Sequence, residues 1–210
     1  MKLLRVTLSF VLLVFAWPIF AIEPAAQELD SQLKHLHSLQ ATFKQTIRSA
    51  DDRILQQSTG TMALQRPGKF RWMVEDPNKQ LIIANNDKLW IYDEDLSQLT
   101  IQSVAKSQNT PAFLLSDNNQ NILKKFAITK IKLGEAEVKG FLLHPKQEDG
   151  LFTSLQLIFK QNRLSQIIMT DGLGQTTTIE FSKIKANAKL AAQLFSFNPP
   201  PGVEIIDNRS

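Results

Sequence analysis

From Leu39 onward the chain alternates. Leu39, Ala41, Phe43, Gln45 and Ile47 fall on one side of an extended segment, with Gln40, Thr42, Lys44, Thr46 and Arg48 on the other. The same period returns in "RILQQSTGTMALQ", which groups Gly60, Met62 and Leu64, and in "KFRWMVED", which sets Phe70, Trp72 and Val74 against Arg71, Met73 and Glu75. Turn formers separate the runs: "SADD", Arg66-Pro67-Gly68-Lys69, Asp76-Pro77-Asn78, Asn85-Asn86-Asp87 and Glu94-Asp95. "QLIIA", "KLWIYD" and "QLTIQS" follow closely, and "AITKIKL", "GFLLHPK", "FTSLQLIFKQ", "LSQIIMT" and "QTTTIEFSKI" resume after an interruption. About ten short strands in sequential order predict an antiparallel meander, curved strongly or rolled into a barrel.

Two segments keep a helical period instead. Leu29, Leu33 and Leu36 predict an amphipathic helix over 24–38. The interruption "NTPAFLLSDNNQNILKKF" offers Asn109 or Thr110 as a cap and Pro111 as a first helical residue. A break over Ser116 to Asn121 then precedes a second short helix around Ile122–Lys125. Phe113, Leu114 and Leu115 are too apolar to lie bare in water, so the concave side of the sheet is their expected destination. The chain closes with the proline-stiffened "LFSFNPPPGVEII". No repeat or linker divides it, so one domain is expected.

The first 21 residues read differently. Lys2 and Arg5 precede an apolar run from Val6 to Phe15, and Ile19-Phe20-Ala21 closes the segment. This is the pattern of a secretory signal peptide cleaved after Ala21. Pro18 and the shortness of the run argue against a membrane span, which needs about 20 apolar residues. Removing Lys2 and Arg5 from the 24 basic residues leaves 22 against 20 acidic ones. With such scattered charge, a nucleic-acid stripe is not expected. An exported chain over 22–210 with no cysteine must rely on its core for stability, and it has no thiol to carry a lipid.

Candidate chemistry is sparse. His35 and His37 stand two apart on the expected helix and point away from each other, so they cannot share a metal ion. His144, beside Pro145 at a strand end, is expected at the surface. Asp171 belongs to the hairpin composition "DGLG" and reads as a turn former rather than a base. No nucleophile elbow, phosphate-cradling loop or metal signature occurs. No enzyme activity, metal or cofactor is expected. What remains is apolar surplus: Leu39, Phe43, Met62, Leu64, Phe70, Trp72, Trp90 and Tyr92 can line one side of a curved sheet. Patterning alone fits a filled core as well as an open cavity. Arg66, likewise, reads either as a solvated turn residue or as a group with a partner.

"ATFKQT", "RPGKFRW" with "DP" shortly after, "LWIYD", "NTPAFLLS" and the terminal "FSFNPPPGVEI" occur together and in this order. As an ordered set spanning the chain beyond residue 21, they resemble the LolA family of periplasmic outer-membrane lipoprotein carriers. The resemblance implies a mainly β (α+β) fold, an unclosed antiparallel β-barrel with helices forming a lid over an apolar cavity. It implies lipoprotein acyl chains as cargo, an inner-membrane Lol ABC transporter as donor and an outer-membrane LolB-type receptor as acceptor. A monomer in the periplasm is expected. The receptor shares the fold but is lipidated on cysteine, so the cysteine-free chain matches the carrier. Arg66 matches the arginine of the family's "RP" motif, which ties the barrel rim to the lid, with carbonyls around Asn109 to Ala112 as candidate acceptors. Phe43, Met62, Leu64, Phe70, Trp72 and Trp90 are the expected cavity lining, and Pro111, Phe113, Leu114 and Leu115 the expected lid. No role is expected for Gly68 or Lys69. The alternative is a carrier or sensor of another periplasmic lipid using the same pocket.

Overall fold

The computed structural model describes residues 24–85, 88–104, 114–117, 119–135, 137–147 and 152–209. The signal-peptide segment, Pro111 and Phe113 lie outside them. Helix α1 (Pro24–Lys34) opens with proline where its missing N–H costs nothing, and buries Leu29 and Leu33. It stops four residues short of the expected end at 38. The backbone of residues 35–38 is instead gripped by Asn187: Nδ2 donates to the His35 carbonyl at 2.7 Å, and the His37 N–H donates to Oδ1 at 2.9 Å. Ser38 and Asn187 add a backbone bond at 2.8 Å, and the strand period takes over at once.

Six strands follow in a meander: β1 (Ser38–Arg48), β2 (Ile54–Gln65), β3 (Lys69–Asp76), β4 (Gln80–Asn85), β5 (Lys88–Asp93) and β6 (Gln98–Ser103). Helix α2 (Asn119–Lys125) runs directly into β7 (Phe126–Ile131), longer at its start than the expected turn around Ile122–Lys125. The chain continues through β8 (Val138–Pro145), β9 (Phe152–Lys160), β10 (Arg163–Asp171) and β11 (Thr176–Ala186), and ends in a short 3-10 turn (Ala192–Phe195) and β12 (Glu204–Asn208).

Among the described residues all twelve strands form one sheet, in the order β12-β6-β5-β4-β3-β2-β1-β11-β10-β9-β8-β7. Every pairing is antiparallel except that of β12 with β6. The two ends, β7 and β12, are not paired with each other, so the barrel is unclosed. β12 was not expected. "NPPPG" reads as extended chain, but nothing local names its pairing partner.

Pairing register decides which residues share a face. Leu39, Ala41 and Phe43 of β1 face Leu64, Met62 and Gly60 of β2. Met62 and Leu64 face Trp72 and Phe70 of β3. This concave face forms the main apolar core, joined from above by Leu29 and Leu33 of α1, by Leu114 and Leu115, and by Ile122 of α2. Each large side chain so buried stabilises the fold by about 1.5–3 kcal/mol relative to exposure.

The opposite face carries a second, smaller apolar layer. Ile83, Leu99 and Phe195 are fully buried there. The C-terminal segment covers it: Asn85 Nδ2 donates to the Phe195 carbonyl at 3.2 Å, Arg71 Nη1 reaches the Leu194 carbonyl at 3.4 Å, and the Tyr92 and Phe197 rings lie 5.0 Å apart. Burial lowers the pKa of the Arg71 guanidinium.

Candidate functional site

The turn after β2 ties the end of α1 to residues 114–117. Arg66-Pro67 is a cis peptide, and Gly68 adopts φ 71°, a conformation that favours glycine. On one side of this turn the Arg66 N–H donates to the His37 carbonyl at 2.9 Å, and Arg66 Nη1 donates to the Leu33 carbonyl in the last turn of α1 at 3.1 Å. On the other side Arg66 Nε donates to the Leu115 carbonyl at 2.6 Å, and the Gly68 N–H donates to the Ser116 carbonyl at 2.8 Å. The guanidinium thus bridges the end of α1 to the start of 114–117. A fork with five donors that stays charged suits two carbonyls in different directions.

Among the described residues the carbonyls of Leu33 and Leu115 accept from the guanidinium; the expected acceptors around residues 109–112 lie outside the described residues. Gly68, expected to have no role, supplies a backbone donor to the same junction. Burial pushes the Arg66 guanidinium down to about 10, and Asp117 acts in the opposite direction by its charge. A groove of about 380 Å³ beside the junction is lined by Leu36, His37, Arg66, Pro67 and Asp117, among others.

Beneath the junction lie most of the expected lining residues. Phe43, Met62, Leu64, Phe70 and Trp72 are all buried, and Phe70 is wholly inaccessible. Phe43 stacks on Trp72 with ring centroids 3.6 Å apart and planes 17° apart, and Phe70 follows at 6.1 Å from Trp72. Gly60 makes room for this stack. A Cβ there would meet the Met73 carbonyl oxygen at 1.9 Å and Phe43 Cζ at 2.8 Å. Leu114 and Leu115 close over the same cluster.

Trp90 does not belong with them. It pairs with Ile83 of β4, while its neighbours Leu89 and Ile91 pair with Ala84 and Ile82 on the concave side. Trp90 and Tyr92 therefore face outward, under the C-terminal segment. "LWIY" is apolar at every position, so only register could separate its two faces.

At the far end of the concave face, away from Arg66, the core opens into a pocket of about 360 Å³. Trp72, Val74, Ile82 and Met169 form its apolar floor, and Gln45, Ser58, Gln80, Asp93 and Thr177 stand around it. His144 is exposed, with Nδ1 3.1 Å from the Thr153 carbonyl. Asp171 acts as a turn former, its Oδ1 accepting from the N–H groups of Leu173 and Gln175. Among the described residues no cluster of acidic, histidine or cysteine side chains could hold a metal. No helix among them is long and apolar enough to cross a membrane.

Comparison with known proteins points one way. The family model described as "Outer membrane lipoprotein carrier protein LolA" matches residues 34–198. The outer-membrane lipoprotein carrier protein of Pseudomonas paraeruginosa is 42% identical over 183 residues, 87% of each chain. That of Legionella pneumophila is 39% identical over 196 residues, 93% of this chain and 95% of the relative. Among solved structures, an uncharacterized conserved protein from Thermus thermophilus superposes with a TM-score of 0.57 at 15% identity, over 87% of this chain and 99% of that one. A LolA superfamily protein from Nitrosomonas europaea gives 0.50 at 13% identity, over 83% and 99%. The structural likenesses speak to the fold alone.

Proposed function

The chain belongs to the LolA family of outer-membrane lipoprotein carrier proteins, and from that premise we propose that its concave face shelters lipoprotein acyl chains in transit through the periplasm. It is a carrier and not an enzyme. The donor in this reading is the inner-membrane Lol ABC transporter, and the acceptor is a LolB-type receptor at the outer membrane. The observation that carries the reading is the Arg66 bridge from Leu33 to Leu115 over a core built of Phe43, Met62, Leu64, Phe70 and Trp72.

The energetics require such a bridge. Burying acyl chain gains about 0.8 kcal/mol per CH₂, so three chains of ordinary length represent on the order of 30 kcal/mol. A site that captured all of it would release cargo too slowly to be useful. In the closed state Leu29, Leu33, Leu114 and Leu115 occupy the apolar space themselves. Cargo enters only by displacing them and breaking the bonds at Arg66, and reclosure competes with the cargo. Arg66 is then the latch, and Leu114 and Leu115 are part of the lid. An acceptor needs only a small advantage, and no nucleotide site is needed in the carrier.

The test uses inner membranes bearing newly made lipoprotein. Added protein should bring lipoprotein into the soluble fraction as a one-to-one complex and pass it to receptor-bearing outer membranes. Lipoprotein left wholly with the inner membrane by a folded protein would refute the reading.

A further inference from the structure

The pocket at the far mouth of the concave face carries polar groups around its apolar floor. Ser58 and Thr177 are buried, at 3% and 7% exposure, yet both are polar and both line it. Among the described residues their hydroxyls make no side-chain hydrogen bond, and neither do the amides of Gln45 and Gln80. Ser58 pairs across strands with Gln45, Thr177 with Met169, and Gln80 with Asp93, so the groups converge from β1, β2, β4, β5 and β11. None of these polar atoms is sealed from solvent without a partner, so they are free to bond whatever fills the pocket. Among the described residues the one charged group in its lining is Asp93, whose Oδ1 accepts from the Leu96 N–H at 3.0 Å, and no basic side chain lines it. Arg48 at the end of β1, Arg53 just before β2 and Lys79 just before β4 are each paired with a carboxylate, of Asp52, Asp51 and Glu94.

We propose that this mouth pocket seats the uncharged polar junction of the cargo, the ester and amide groups joining acyl chains to polypeptide, and that Asp93 turns away acyl lipids with anionic head groups. This rests on the carrier reading above. The apolar floor of Trp72, Val74, Ile82 and Met169 receives the first methylenes. The hydroxyls and amides above it match ester carbonyls and amide groups, which carry acceptors and donors but no charge. A phosphodiester placed in the same position meets a carboxylate and no cation, an arrangement that disfavours it. The pocket thereby selects a diacylglyceryl peptide over the anionic phospholipids among which such cargo resides.

The experiment displaces an environment-sensitive apolar dye from the purified protein. The competitors are a dioctanoylglyceryl-cysteine peptide of uncharged sequence, dioctanoyl phosphatidylglycerol and decanol. The lipopeptide should displace dye at a concentration at least about tenfold below phosphatidylglycerol. Ser58→Ala with Thr177→Val should raise the lipopeptide concentration needed by about tenfold, the scale of two lost hydrogen bonds, and leave decanol unchanged. Asp93→Lys should narrow the gap between the two lipids. Equal displacement by both lipids from the unaltered protein, or a double variant that binds lipopeptide normally, overturns the proposal while leaving the carrier reading intact. If neither lipid displaces dye from the unaltered protein, both fall together.

Discussion

Arg66 Nε donates to the carbonyl of Leu115 at 2.6 Å across a separation of 49 residues. The same guanidinium reaches Leu33 in α1, so one side chain joins the barrel rim both to that helix and to residues 114–117. Loss of this contact should have a direction, because on the proposed reading it belongs to the closed state only.

Arg66→Leu is expected to keep the fold, since the residue stands in a turn, and to weaken closure by about 1–3 kcal/mol, the scale of hydrogen bonds to a charged donor. Lipoprotein loading should rise and handover to the receptor should fall. Separate loading and handover assays on protein of unchanged circular dichroism check this. Weaker loading with normal handover of whatever is loaded would sink the latch.

Arg66→Lys tests geometry apart from charge. An ammonium on a flexible stem cannot direct separate donors at Leu33 and Leu115 as the planar fork does. Handover should resemble that of the leucine variant more than that of the parent. Full recovery with lysine would mean that charge alone matters.

Gly60→Ala should destabilise the protein by about 1–3 kcal/mol through overpacking, because the new methyl group meets the Met73 backbone and the Phe43 ring. The midpoint of urea unfolding reports it. An unchanged midpoint would show that the Phe43–Trp72 stack yields freely.

Acid should loosen α1 before the barrel. Glu28 accepts from Lys130 at 2.7 Å, and Lys139 lies 3.7 Å from its other oxygen. The hydrogen bond from Lys130 leads in holding its carboxyl below the ordinary 4.5. A carboxylate with a depressed folded pKa contributes stability that is present above 4.5 and disappears as pH falls through the lowered value. Amide exchange in α1 should therefore accelerate below about pH 4.5 relative to β9 and β10, and Glu28→Gln should remove the difference. Equal acid response in parent and variant would assign the effect elsewhere.

The sequence carried the concave face well where one side of a strand was apolar and the other polar. Phe43, Met62, Leu64, Phe70 and Trp72 follow from parity alone. Parity failed at Trp90 because both faces of β5 are apolar, one toward the core and one under the C-terminal segment. The helix over 24–38 was overextended because its end is imposed by Asn187, some 150 residues on. The acceptors of Arg66 and the polar ring at the mouth are likewise products of distant pairing. Ser58 and Thr177 are unremarkable in their own strands, and only the register brings them to one opening.

β12 completes the sheet beside β6 and leaves β7 without a strand partner on its far side. In a closed ring, strand number and stagger together set the girth. Here that constraint is missing, because the first and last strands of the order are not paired with each other. On the proposed carrier reading, a bulkier guest would be met by a change of curvature that keeps the ladder of backbone bonds, rather than by unzipping any strand.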